Sequence, residues 1–115
     1  MTKKKTVNFF NNNNSTGDSY YKENTFHHKN LKAKKMPAQT LDFVMKKNNL
    51  PYPHLLKIDT QGSEIDILRG AKNTIKKFKL IFLECPIAKS NNNYQNISDY
   101  INFMIKNELY SSRNL

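Results

Sequence analysis

The sequence predicts an α/β fold, half of a doubly wound domain in which parallel strands are flanked by helices, and three observations lead there. Two short apolar runs, Leu55-Leu56-Lys57-Ile58 and Leu80-Ile81-Phe82-Leu83, each stop at an acid, Asp59 and Glu84. Between them Ile65, Leu68, Ala71, Ile75 and Phe78 recur at helical spacing, and beyond them Ile97, Ile101, Met104 and Ile105 draw a second apolar face. The resulting order of helix, strand, helix, strand, helix, with short connections, favours a parallel sheet with right-handed crossovers.

Taken in order, residues 1–38 form a polar, lysine- and asparagine-rich segment that reads as loop or weak strand, with a short strand from Thr6 to Phe10 closed by the Asn11 to Asn14 run. Residues 39–115 carry the α/β pattern. Thr40 is placed to cap a short helix whose stripe is Leu41, Val44 and Met45, and Asn48, Asn49 and Pro51 end it. Leu55 to Ile58 is the first strand of the sheet. Gln61-Gly62-Ser63 turns the chain into a helix expected to run unbroken to Phe78, with Ser63 and Asp66 at capping-box spacing. Lys76, Lys77 and Lys79 suit its negative end. The uninterrupted run Leu80 to Leu83 is the pattern of a strand covered on both faces. An asparagine-rich loop, Asn91 to Asn93, then leads to the last helix, with Ile97, Ile101, Met104 and Ile105 expected to face inward. Two such strands with three helices leave sheet edges and apolar flanks in need of cover.

A chain of 115 residues holds one domain at most, and its apolar content of 37% lies below the roughly 45–50% of ordinary globular chains. The net charge is +10, from 19 Lys and Arg against 9 Asp and Glu. That balance permits a polyanionic partner, yet only Arg69 and Arg113 are arginine, the residue that phosphate-binding surfaces favour. Lysine, asparagine and isoleucine are enriched together, as an AT-rich coding sequence produces, so nucleic acid is not the expected partner. A small basic nucleic-acid-binding module, using Lys3 to Lys5, Lys29 to Lys35 and the tyrosines, stands as the alternative reading. Cys85 is the lone cysteine, so no internal disulfide forms, and a reducing cytoplasm fits. The amino terminus lacks the apolar stretch of a signal peptide, and no run approaches the ~20 residues of a membrane span.

The chemistry-bearing candidates lie at the strand ends, because ligands of open parallel sheets collect outside the carboxyl ends of the strands. Asp59 and Glu84 occupy those ends and share one rim if their strands are neighbours. Asp59 has an alternative role, accepting from amides of the turn that follows it. Gly62 permits a tight turn or a close backbone approach. Gln61 offers a donor and an acceptor to a polar ligand or to solvent, and Glu64 sits in a first helical turn where the dipole alone explains a carboxylate. His27 and His28 are adjacent and lack companion ligands, and His54 stands alone, so no metal site is expected. Cys85, before Pro86 and without a paired histidine, reads as an inert thiol.

The stretch Leu55-Leu56-Lys57-Ile58-Asp59-Thr60-Gln61-Gly62-Ser63-Glu64, continuing to Leu68-Arg69-Gly70-Ala71, resembles the L-K-I-D-x-Q-G-x-E and L-x-G-A signature of FkbM-type methyltransferases. Thr40-Leu41-Asp42 is similar to the T-L-D that precedes it, Leu83-Glu84 to the L-E that closes the next strand, and Thr16-Gly17-Asp18-Ser19 to an upstream Gly-Ser loop. The resemblance covers roughly residues 16–109. It implies a partial Rossmann-like methyltransferase fold that uses S-adenosylmethionine and passes the methyl to an oxygen, often a sugar hydroxyl. It also implies a catalytic Asp59 that orients or deprotonates the acceptor, with Gln61, Gly62, Glu64 and Glu84 binding substrate or cofactor. The sequence departs from the family in having no strand with a glycine-rich cofactor turn before Leu55 and no closing strands after Tyr110. The resemblance therefore implies a fragment, cut at both ends, which binds S-adenosylmethionine weakly or not at all by itself. A small-molecule or glycan acceptor and a complementary fragment are the expected partners. An inactive remnant that docks on another protein is the third reading.

Overall fold

The computed structural model describes residues 4–11, 18, 31–60, 62–85 and 95–109 of the chain. They build two small sheets and a set of helices: β1 Lys4–Phe9, β2 Lys34–Gln39, α1 Leu41–Lys47, β3 Leu55–Ile58, α2 Glu64–Arg69, a 3₁₀ turn Thr74–Lys77, β4 Leu80–Leu83 and α3 Ile97–Lys106. β3 and β4 pair in parallel, as the two apolar runs predict, with Leu55 opposite Leu80 and Ile58 opposite Leu83. β1 and β2 pair antiparallel from Lys4 opposite Gln39 to Phe9 opposite Lys34. β2 falls where the sequence reads as loop, since Lys34, Lys35 and Pro37 give it neither alternation nor apolar bulk.

The core lies on one face of the parallel pair. Ile58 from β3 is buried with Leu68, Ala71 and Ile75, and Leu56, Ile81, Leu83, Leu41, Ile67, Phe103 and Leu109 pack around them. The expectation that β4 is covered on both faces is overturned: burial alternates along it, and Leu80 and Phe82 are 50% and 56% exposed. The reason is that α1, α2, the 3₁₀ turn and α3 all contribute their core residues to the same side of the sheet.

The single helix expected from Ser63 to Phe78 is two pieces. α2 ends at Arg69, and Gly70 to Asn73 turn the chain before the 3₁₀ segment, although Ile65, Leu68, Ala71 and Ile75 keep the buried stripe that the spacing draws. The break is fixed by the contact with α1. A Cβ on Gly70 would lie 3.2 Å from Cβ and 3.3 Å from Cγ2 of Thr40, so the glycine lets the two helix ends meet. The amide of Asp42 donates to the carbonyl of Gly70 at 3.1 Å, and the Asp42 carboxylate accepts from the amides of Asn73 (3.0 Å) and Thr74 (2.8 Å) and from the Thr74 hydroxyl. Thr40 caps α1 as its position predicts, accepting from the amide of Phe43 at 3.3 Å.

α3 is turned relative to expectation. A reciprocal capping box of Asn96 and Asp99 starts it, and its inward residues are Tyr100, buried, with Phe103 and Met104 half-buried. Ile97, Ile101 and Ile105 are instead exposed, the last at 66%. Among the described residues, no helix is long and apolar enough to cross a membrane.

Candidate functional site

The parallel register places the two strand-end acids together. Lys57 stands opposite Phe82 and Ile58 opposite Leu83, and the next step along both strands sets Asp59 beside Glu84, whose amide reaches the Ile58 carbonyl at 3.4 Å. Side chains alternate along a strand. Asp59 and Glu84 therefore share a face with Leu55, Lys57, Leu80 and Phe82, the face that the helices leave uncovered. That face grades from apolar at the amino ends of the strands to acidic at the carboxyl rim.

The two carboxyls interact. A hydrogen bond with Asp59, followed by the repulsion of the Asp59 charge, pushes the Glu84 carboxyl above its ordinary range; Glu64 adds to the shift and Lys57 opposes it. Lys57 Nζ lies 3.8 Å from Asp59 Oδ2, an open ion pair of modest energetic weight. The rim can thus bind a cationic group through two acids or exchange a proton with a hydroxyl.

Behind the rim, the loop from Thr60 to Ser63 is held by a buried glutamate. Glu64 is 1% exposed. Its Oε1 accepts from the amide of Thr60 at 2.9 Å and from the Thr60 hydroxyl at 3.2 Å, and its Oε2 accepts from the amide of Gly62 at 3.0 Å. The phenol of Tyr100, also 1% exposed, donates to Oε2 at 2.9 Å from a point 36 residues further along the chain. Burying a carboxylate is costly without such donors, and here both oxygens are supplied with them. Gly62 adopts φ 111°, a conformation that side-chain-bearing residues rarely take, so the turn needs glycine at this point.

The structure thus brings Asp59 and Glu84 to one rim, puts Gly62 in the adjoining turn and sets Glu64 beneath it. Of the turn amides that follow Asp59, those of Thr60 and Gly62 go to Glu64. Ser63 and Asp66 form no capping box, a correction to the sequence reading: the Ser63 hydroxyl donates to Thr60 Oγ1 at 2.7 Å, and Asp66 pairs with Arg69 at 2.9 Å. Gln61, His27 and His28 lie outside the described residues. His54 is exposed, and its carbonyl accepts the amides of Lys79 and Leu80. The Cys85 thiol is half-buried, and burial, with Glu64 nearby, pushes it further toward the protonated form. No group of three or more metal-ligating side chains occurs among the described residues.

The apolar pattern does not single out Tyr100, because the isoleucines of α3 outweigh it in apolar content. Its signal is the i, i+3, i+4 spacing of Tyr100, Phe103 and Met104, a stripe that shares Met104 with the isoleucine face and lies about a quarter-turn around the helix from it. A cavity of about 370 Å³ opens elsewhere, between the β1–β2 ribbon (Val7, Ala38), α1 (Leu41, Val44) and α2 (Ile67, Gly70). Its lining includes neither strand-end acid.

Residues 3–111 match the sequence profile described as the Methyltransferase FkbM domain. No curated protein matches the chain, and neither does any solved structure.

Proposed function

Because the chain belongs to the FkbM methyltransferase family, we propose that Asp59 and Glu84 form the working rim of a site for S-adenosylmethionine-dependent O-methylation, with a sugar or other small-molecule hydroxyl as acceptor. The observation that carries this reading is the juxtaposition of the two acids at the carboxyl ends of neighbouring parallel strands. Ligands of open α/β sheets collect at that edge, and the β3–α2–β4 unit is read here as part of a Rossmann-like arrangement.

S-adenosylmethionine supplies a methyl group on a cationic sulfonium and carries an ammonium as well. An acidic rim suits both charges. When bound, the cofactor would supply the methyl group, and Asp59 would orient the acceptor hydroxyl and take up its proton. Glu84 shares the rim with it. Gln61 is proposed, by its chemistry alone, to bind the ligand through an amide that both donates and accepts, while Gly62 lets backbone approach closely and Glu64 shapes the loop from beneath. A reducing cytoplasm suits the thiol of Cys85. A complementary fragment bearing further strands or helices would find its place on the uncovered face of Leu55, Leu80 and Phe82.

The chain holds three glycines, Gly17, Gly62 and Gly70, and among the described residues no strand runs into a glycine-rich turn for the adenosine. Binding of S-adenosylmethionine by the chain itself is therefore expected to be weak, with Kd above about 100 µM, or less than roughly 5.5 kcal/mol. Calorimetry returning a micromolar Kd would contradict that expectation. At millimolar S-adenosylmethionine, methyl transfer to a panel of hydroxyl acceptors is expected, and Asp59→Asn should lower its rate by about a hundredfold or more. No transfer by the wild-type chain to any acceptor, or undiminished transfer by Asp59→Asn, would remove the catalytic reading.

A further inference from the structure

We infer that Tyr100 is a positioning residue for the rim: by donating to Glu64 it fixes the carboxylate that tethers Thr60 and Gly62, so that docking of α3 sets the shape of the loop following Asp59. The inference rests on the methyltransferase reading only in what it says of the ligand.

Four features carry it. Tyr100 and Glu64 are each 1% exposed, so neither is open to bulk water. The bond between them, 2.9 Å from phenol to carboxylate, joins elements 36 residues apart. The same Oε2 atom accepts the Gly62 amide at 3.0 Å, while Oε1 accepts the Thr60 amide at 2.9 Å. Gly62 sits at φ 111°, and Thr60 follows Asp59 directly, so a swing of the glutamate releases both amides that hold the turn next to the rim. A charge-assisted bond in a dry setting is strong, and losing one donor leaves a buried carboxylate partly unsatisfied. The glutamate then seeks another donor or admits water, and in either case the loop loses its fixed point.

The test uses the full chain labelled with ¹⁵N and the variant Tyr100→Phe, which keeps the ring and removes the donor. The amides of Thr60 and Gly62 are expected to shift and to exchange with solvent about tenfold faster, while those of Val44 and Asn48 in and after α1 hold their rates. A bond that merely anchors α3 would loosen Phe103 and Met104 and leave Thr60 and Gly62 unmoved, and that outcome overturns the inference. Millimolar S-adenosylmethionine is then titrated in: perturbation of the Asp59 to Gly62 amides is expected in the wild-type chain, with severalfold weaker binding in Tyr100→Phe. If the wild-type amides ignore the cofactor while Tyr100→Phe still loosens the loop, the cofactor reading fails and the positioning role stands. If Tyr100→Phe does not fold, Glu64→Gln serves instead. Its amide can meet the Tyr100 oxygen and its carbonyl oxygen can keep the Thr60 amide, so Gly62, which loses its 3.0 Å partner and keeps only the 3.3 Å contact with the other oxygen, should exchange faster while Thr60 does not; equal exchange at Gly62 in the variant and the wild type would overturn the inference.

Discussion

At the scale of single residues, the rim is defined by two carboxylates whose separation the backbone has already decided. Parallel pairing in this register leaves Asp59 and Glu84 side by side on one face, and the Glu84 proton is held by a hydrogen bond to Asp59 and by the cost of two like charges. A glutamate raised in the folded state contributes stability that is present below its unfolded pKa and is lost as pH rises through the folded value. The corresponding measurement is a carboxyl titration by NMR. Glu84 should titrate above the ordinary glutamate range, and Asp59→Asn should bring it back down, since the amide donates where the carboxylate repelled. An unaltered Glu84 titration in that variant would show that the two groups do not communicate. Of these residues the sequence disclosed the positions but not the division of labour. Asp59, Gly62 and Glu84 were legible from strand ends and turn chemistry, whereas the burial of Glu64 depends on Tyr100, and nothing local to Glu64 announces a partner on α3.

At the scale of elements, the joint between α1, α2 and the 3₁₀ turn explains the two short motifs that flank the rim loop. Thr40 packs on Gly70, and Asp42 of the same Thr-Leu-Asp stretch receives the first amides of the 3₁₀ turn. Burial would raise the Asp42 carboxyl, but hydrogen bonds from the Thr74 hydroxyl and from the Asn73 and Thr74 amides outweigh it and hold it below the ordinary aspartate range. The sign is opposite to that of Glu84: the stabilisation is complete above the unfolded aspartate pKa and is lost as pH falls through the depressed folded value. Asp42→Ala should cost about 1–2 kcal/mol, the worth of a cap, and should abolish that part of the acid sensitivity. Denaturant unfolding of wild type and variant at neutral pH and near pH 3 checks both; a difference in stability that stays constant across that range would refute the linkage. The helix break at Gly70 was illegible because its apolar stripe continues across the turn, and periodicity alone cannot distinguish one helix from two aligned pieces. The β1–β2 ribbon was half legible, since the aromatic end of β1 has strand character and lysine-rich β2 has none.

At the scale of the whole molecule, the parallel pair is a sheet with one finished face. Two strands need cover or further strands to be stable on their own, and here the helices gather on the side of Ile58 while Leu55, Leu80 and Phe82 look outward with 52%, 50% and 56% of their surface exposed. Exposed apolar side chains beside strand edges that no other described strand pairs favour association, either with a partner that completes the sheet or between copies of the chain. The purified chain should therefore associate in a concentration-dependent manner. Because Phe82 contributes nothing to the core, Phe82→Lys should suppress that association without lowering the thermal midpoint, whereas a core change such as Leu68→Ala should lower the midpoint in line with a cost of about 2–5 kcal/mol. Sedimentation velocity over a concentration series separates the cases. A wild-type chain that remains monomeric throughout, or a Phe82→Lys variant that associates as strongly as the wild type, would show that the outward face is passive and that association, where it occurs, resides elsewhere on the surface.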